Sequence, residues 1–153
     1  MTDPSPFTVA PWATRLGYAG LLPFVALAAW MLVATADQRG FPARALLAYG
    51  ATVASFLGAI HWGLAMRSEQ PGDDTTARDY LWGVVPSLVA WCALLADGAI
   101  GLLILVVLLW ACYAVDRTRY PARGLRHWLL LRLRLTRVAS LSCLAAATTM
   151  VLA

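Results

Sequence analysis

Long runs of uncharged, mostly apolar residues are the feature that most constrains this chain. The first run, from Leu16 to Ala36, has 21 residues without a charge. An α-helix rises about 1.5 Å per residue, so about 20 such residues cross the hydrocarbon core of a bilayer. Further runs follow, and the sequence predicts five membrane spans. They cover residues 16–36, 45–66, 80–96, 99–115 and 131–153.

The expected fold is therefore all-α, with one transmembrane domain of five helices over residues 14–153. A flexible tail is expected over residues 1–13, which are polar and contain three prolines. A cleaved signal peptide is the alternative interpretation of the first run, because Ala26-Leu27-Ala28 resembles a cleavage site.

The composition excludes the main classes of soluble protein. The chain is 61% hydrophobic and 13% charged, whereas ordinary soluble domains are about 45–50% apolar and about 25% charged. A soluble domain of this length buries only about 70% of its chain surface, which is too little to hide so much apolar surface. The three cysteines each lie inside an apolar run, which argues against a disulfide scaffold. A soluble enzyme and a disordered chain are likewise excluded.

The distribution of arginine predicts the orientation in the membrane. All 12 basic residues are arginine. If five spans alternate in direction, Arg39 and Arg44 lie on one side of the membrane and the other ten on the opposite side. Those ten are Arg15, Arg67, Arg78, Arg117, Arg119, Arg123, Arg126, Arg132, Arg134 and Arg137. Because basic loops stay in the cytoplasm, the N-terminus is predicted inside and the C-terminus outside. The predicted location is the inner membrane of a bacterium, as a multi-pass protein.

The second span carries small residues at helical spacing. Ala51, Ser55, Ala59 and Gly63 are each four residues apart, and Gly58 lies on a neighbouring strip. Small residues on one helix face let two helix backbones approach closely. We therefore expect these five residues to form a helix-packing face.

His61 is the main candidate for chemistry. It lies six residues before Arg67, about 9 Å of helical rise from the predicted membrane boundary. Ionisable residues inside a membrane are costly and tend to mark functional sites. Two interpretations stay open: a ligand-binding or proton-carrying role, or a neutral histidine that bonds a neighbouring helix or lies at the interface beside Trp62. No metal site and no cofactor are predicted, because one intramembrane histidine is not a ligand set.

Four further residues fall at the same predicted depth as His61. Pro86 should kink the third span, with an unwound, ligand-lining turn as the alternative. Asp116 should pair with Arg134 or Arg137, which enter the membrane from the same side. We expect a polar cluster in the cytoplasmic leaflet that binds a ligand or partner. It comprises Ser55, His61, Trp62, Pro86, Asp116, Arg134 and Arg137.

The basic loop after the fourth span predicts contact with the membrane surface. We expect anionic lipid headgroups to bind Arg117, Arg119, Arg123 and Arg126. Nucleic acid is not an expected partner, because the arginines lie in loops between apolar spans. The lipid bilayer itself, a membrane-protein partner or a second copy of the chain are the other partners considered.

Several sequence blocks resemble a known family. They are Leu-Leu-Pro-Phe at 21–24, Phe-Leu-Gly-Ala-Ile-His-Trp-Gly at 56–63, Pro-Ser-Leu-Val-Ala-Trp at 86–91, and the stretches 113–116 and 131–136. On these blocks the chain resembles the transmembrane protein 69-like family, a domain of unknown function in proteobacteria and mitochondria. Ala59 stands where family members often carry a second glycine. The resemblance implies a small multi-span inner-membrane protein and brings no established activity, substrate or catalytic residue.

Three function classes follow from these observations. The favoured one is a non-enzymatic membrane protein that binds a lipid, a quinone-like molecule or a membrane partner through the polar cluster. A small-solute transporter or channel is an alternative, although the outer halves of the spans carry few polar residues for a solute path. A membrane-embedded enzyme is the other alternative, with His61 as acid or base near Asp116.

Overall fold

The structure, a computed structural model, describes residues 9–67 and 74–152. Within these residues the regular structure is helical, which confirms the all-α prediction. The six α-helices are α1 (Pro11–Ala19), α2 (Leu22–Val33), α3 (Gly40–Arg67), α4 (Asp74–Leu95), α5 (Gly98–Arg119) and α6 (Leu129–Val151). Short 3-10 turns at Ala36–Gln38, Pro121–Arg123 and Arg126–Trp128 join some of them.

The first predicted span consists of two helices rather than one. Pro23 lies in the first turn of α2, where its missing N–H costs no helical hydrogen bond, whereas inside an unbroken helix it would remove one. The Tyr49 hydroxyl of α3 donates to the carbonyl of Gly20 at the break, at 2.9 Å. Helix α1 begins at Pro11, inside the segment 1–13 that was predicted to be a tail. Residues 1–8 of that segment lie outside the described residues.

Helix α3 lies at the centre of the bundle and contacts α2, α4 and α5, while α6 packs on α5 and α2. Consecutive long helices run in opposite directions. Among the largest fully buried side chains are Phe24, Met31, Leu46, Leu102 and Leu105, which belong to α2, α3 and α5. This arrangement brings the end of α3, the end of α5 and the start of α6 to the same end of the bundle.

Helices α3 and α4 approach closely at a pair of glycines. A Cβ atom added to Gly58 would lie 2.5 Å from the carbonyl oxygen of Gly83 and 3.2 Å from Cγ of Pro86. Helix α4 continues through Pro86 as an α-helix, so the alternative of an unwound, ligand-lining turn there is wrong. Pro86 instead packs against Gly58, where the absence of a side chain leaves room for its ring.

The packing face of α3 differs from the one predicted. Ala51 and Gly58 are buried, but Ala59 and Gly63 point outward, and Ser55 is half-buried with its hydroxyl donating to the Ala51 carbonyl at 2.9 Å. Each residue turns about 100° around an α-helix, so a strict spacing of four drifts by about 40° per step. Over the twelve residues from Ala51 to Gly63 the drift reaches about 120°. The small residues therefore do not share one face.

Three helical segments among the described residues are long and apolar enough to cross a membrane: Pro11–Val33, Ala36–Arg67 and Gly98–Arg119. Helices α4 and α6 have 22 and 23 residues and lie alongside them in the bundle. Both carry charged residues in their first turns. The count of five spans and their orientation stay predictions.

Candidate functional site

A buried network of three ionisable side chains joins three helices at one end of the bundle. Oδ1 of Asp116, near the end of α5, lies 3.0 Å from Nε2 of His61 on α3. Nε of Arg132, in the first turn of α6, donates to Oδ2 of the same carboxylate at 2.7 Å. The exposed fractions of Asp116, His61 and Arg132 are 2%, 1% and 8%. The network therefore lies inside the protein.

The chemistry of the carboxylate fixes the roles in this network. An ionised carboxylate only accepts hydrogen bonds. Nε2 of His61 therefore carries a hydrogen atom and is the donor of the hydrogen bond to Asp116. The opposite charges of Asp116 and Arg132 form an ion pair. A charged side chain is tolerated in a protein interior when it is paired in this way. Nδ1 of His61 has no hydrogen-bond partner within the described part of the chain.

The partner of Asp116 corrects one sequence-based prediction. Arg134 and Arg137, the expected partners, are exposed on α6, and Arg134 instead reaches the Tyr18 hydroxyl at 3.4 Å. Arg132 was not predicted to be the partner of Asp116, although its position relative to the small and polar residues of α6 indicated that it faces the protein interior. It lies on a stripe of buried α6 residues in which each member has another three or four positions away: Arg132, Thr136, Ala139, Ser140, Cys143, Ala146 and Ala147. Arg134 and Arg137 fall off that stripe.

Two adjoining cavities lie between α1, the start of α2, α3 and α6, with volumes of about 250 Å³ and 430 Å³. We call them together the Arg132 cavity, because Arg132 lines both. The other residues common to both walls are Leu16, Gly17, Phe56, Leu57 and Leu135. Leu16 and Phe56 are 68% and 65% exposed, so the cavity opens on the outer surface of the bundle between α1 and α3.

Two residues that line the first of these cavities, Arg132 and Thr136, each carry a buried hydrogen-bond donor without a partner. Nη2 of Arg132 and Oγ1 of Thr136 are buried and make no hydrogen bond to any residue the structure describes. Thr136 is 2% exposed and lies one helical turn after Arg132. Buried polar groups are almost always paired, so two such donors in one apolar wall mark a place where a bound acceptor would be stabilised.

Tyr120 lies beside His61 and also lines the second of the two cavities. It follows the end of α5, is 4% exposed, and its ring centroid lies 6.2 Å from that of His61. Burial, together with the negative charge of Asp116, raises the pKa of Tyr120 to about 12. Its phenol is therefore neutral at physiological pH and can donate a hydrogen bond.

A second charged cluster lies at the same end of the bundle. Asp79 on α4 is 3% exposed and forms ion pairs with Arg119 and Arg123. Arg123 also donates to the Leu64 carbonyl at 3.0 Å. Asp79 was missed because the sequence assigned it to the loop before the third span, whereas α4 begins at residue 74.

This cluster includes two of the four arginines in the predicted lipid-binding set. Arg119 and Arg123 form ion pairs with Asp79, whereas Arg117 and Arg126 are exposed. The contact of all four arginines with anionic headgroups stays a prediction.

The structure divides the predicted polar cluster. It brings together His61 and Asp116 only. Trp62 is 43% exposed and donates from its indole nitrogen to the Tyr80 carbonyl at 2.8 Å. Pro86 and Ser55 face the contact between α3 and α4. Across residues 9–67 and 74–152, no group of three or more histidine, cysteine, aspartate or glutamate side chains could hold a metal ion.

Comparison with known proteins places the chain in a family. A family model described as "Protein of unknown function (DUF3429)" matches residues 9–148. The chain belongs to this transmembrane protein 69-like family. It is 41% identical over 83 residues to transmembrane protein 69 of Xenopus tropicalis, a match that covers 54% of this chain and 32% of that protein. The chain thus matches about a third of that relative's length. No solved structure matches significantly.

Proposed function

We propose that this chain is a multi-pass membrane protein that holds a lipid or other hydrophobic small molecule in the Arg132 cavity. One observation carries the proposal: Arg132 and Thr136, whose buried donors Nη2 and Oγ1 have no partner among the described residues, line a cavity that is otherwise apolar and opens on the outer surface. Binding sites for small molecules have this character, with mostly apolar walls and a few polar groups that fix the orientation of the ligand.

The network behind the cavity supports this assignment. Asp116 holds Arg132 through Nε, and this bond fixes the guanidinium plane and directs Nη2. His61 bonds the other carboxylate oxygen and so limits the movement of Asp116. His61 and Asp116 act in this account as positioning residues, since neither belongs to the cavity wall. In this account His61 has the second of the two roles considered from the sequence, that of a histidine that bonds a neighbouring helix.

The proposal includes a topology of five spans with the N-terminus in the cytoplasm of a bacterium. The antiparallel bundle supports it, because ten of the twelve arginines belong to the end that carries the start of α1 and α6. Basic residues concentrate on the cytoplasmic side of membrane proteins. Reporter fusions test it: a fusion at residue 70 should be active as a fluorescent protein, and one at Asp97 as a periplasmic phosphatase. The reverse pattern would contradict the orientation.

Native mass spectrometry of the protein, extracted gently from its own membrane, tests the binding function. Gly17→Leu adds a side chain in the cavity wall, where a Cβ would already lie 3.2 Å from Leu135. Gly63→Leu adds the same volume where nothing lies within 4 Å. We expect a small molecule to remain on the wild type and on Gly63→Leu and to be lost from Gly17→Leu.

Two results would count against the binding function. Retention of the small molecule by Gly17→Leu would place the binding site elsewhere. A wild-type protein that carries a second protein subunit and no small molecule would indicate a partner-binding role instead, and the cavity would then be part of an interface.

A further inference from the structure

We propose that the occupant of the Arg132 cavity is a lipid-soluble quinone, held by a carbonyl oxygen that accepts hydrogen bonds from Nη2 of Arg132 and Oγ1 of Thr136. This inference rests on the proposed binding function and names its ligand class. Four features of the described residues support it: the donors, the charge balance, the aromatic walls and the opening.

The donors require an acceptor. The guanidinium of Arg132 has only N–H donors, and its Nη2 has no partner in the part of the chain that is described. Thr136 follows on the same face of α6, one turn later, and its hydroxyl can also donate. A carbonyl oxygen has two lone pairs and can accept from both groups. An occupant without an acceptor at this position would leave both donors unsatisfied.

The charge balance favours an uncharged acceptor. Asp116 already offsets the charge of Arg132 through the bond at 2.7 Å. No other cationic side chain lines either cavity among the residues described. A carboxylate or phosphate in the cavity would therefore leave a negative charge away from water without a counterion, which is costly. A carbonyl group makes the same hydrogen bonds without that cost.

The walls favour a flat, aromatic-sized group. Phe24, Tyr49 and Phe56 line the first cavity, and Phe56, Tyr120 and Trp128 line the second. Aromatic side chains pack on planar rings in offset or edge-on arrangements. A quinone ring presents flat faces to these walls and a carbonyl edge to Arg132, whereas the glycerol ester of a lipid offers a carbonyl without a ring.

The opening of the Arg132 cavity gives the isoprenoid tail of a bound quinone a path into the bilayer. Leu16 and Phe56, both exposed, line the two cavities as well as the outer surface of the bundle. An isoprenoid tail leaving between α1 and α3 would stay in contact with apolar side chains and with lipid. The ring would then occupy the interior and the tail the membrane.

Binding of a short-chain benzoquinone to the full chain in phosphatidylcholine nanodiscs tests the proposal. The quenching of tryptophan fluorescence provides the readout, because Trp128 lines the cavity. Thr136→Val removes one donor with little change of shape. The matched control is Ser140→Ala, which removes another buried, unpartnered hydroxyl of α6 that is not part of the cavity wall.

We expect saturable binding that Thr136→Val weakens about 3- to 10-fold, the loss of one hydrogen bond, while Ser140→Ala leaves the Kd unchanged. Dioleoylglycerol and dioleoylphosphatidate, as competitors, should not displace the quinone. Displacement by either lipid, with dependence on Thr136, would overturn the quinone assignment and leave the binding function intact. Equal Kd values for Thr136→Val and wild type would overturn the assignment of the donors. Absence of saturable quinone binding would overturn the quinone assignment alone, because native mass spectrometry tests the binding function independently.

Discussion

Replacement of Asp116 by alanine tests the buried network at its centre. The carboxylate is 2% exposed and holds both Nε of Arg132 and Nε2 of His61. Removal of this carboxylate leaves the guanidinium of Arg132 buried without a counterion. Breaking a buried ion pair by removing one partner costs about 3–5 kcal/mol. In a domain of this size each kcal/mol lowers the Tm by about 2–4 °C, so we expect a fall of about 6–20 °C.

The assay is thermal unfolding in a mild detergent, followed by circular dichroism and by the recovery of monodisperse protein. Asp97→Ala is the matched control, because this aspartate is exposed and makes no capping hydrogen bond. The double variant Asp116→Leu with Arg132→Met removes both charges. It should recover most of the lost stability, since an apolar pair of similar size often replaces a buried ion pair at little cost.

Two results would refute this reasoning. An Asp116→Ala variant whose Tm lies within the range of Asp97→Ala would show that the network does not support the fold. A double variant no more stable than Asp116→Ala would show that the loss arises from something other than the unpaired charge of Arg132.

Three further predictions concern packing, helix ends and ionisation. Gly58→Ala should destabilise the protein by about 1–3 kcal/mol through overpacking between α3 and α4, whereas Gly63→Ala, in open space, should be neutral in the same unfolding assay. Arg39→Ala should cost about 2 kcal/mol, because its side chain donates to carbonyls near the ends of α2 and α6, and an equal loss for the exposed Arg44→Ala would contradict this. The raised pKa of Tyr120, about 12 against a usual 10.0, favours the folded state below pH 10, so between pH 10 and 12 the wild type should lose about 2–3 kcal/mol that Tyr120→Phe retains. Alkaline unfolding curves that coincide would refute it.

Although the division of the first span into α1 and α2 was not predicted, the other helices were largely predictable from the sequence, because their apolar runs are long and their breaks carry polar residues or proline. The lateral arrangement was not, because depth in a membrane says nothing about which helix face turns inward. The spacing of four residues predicted that Gly63 lies on the packing face. In the structure Gly63 points outward, because four residues turn about 40° more than one full turn. Arg132 and Arg134 are two residues apart, about 200° around the helix, so Arg132 is buried and Arg134 is exposed. The sequence could thus place Asp116 near arginines without identifying its partner.

The structure of the protein in lipid nanodiscs, determined by electron microscopy without added ligand, tests the central claim most directly. We predict density in the Arg132 cavity within hydrogen-bonding distance of Nη2 of Arg132 and Oγ1 of Thr136, continuing outward between α1 and α3. A cavity that is empty or closed, with both groups bonded to other atoms of the chain, would contradict the account.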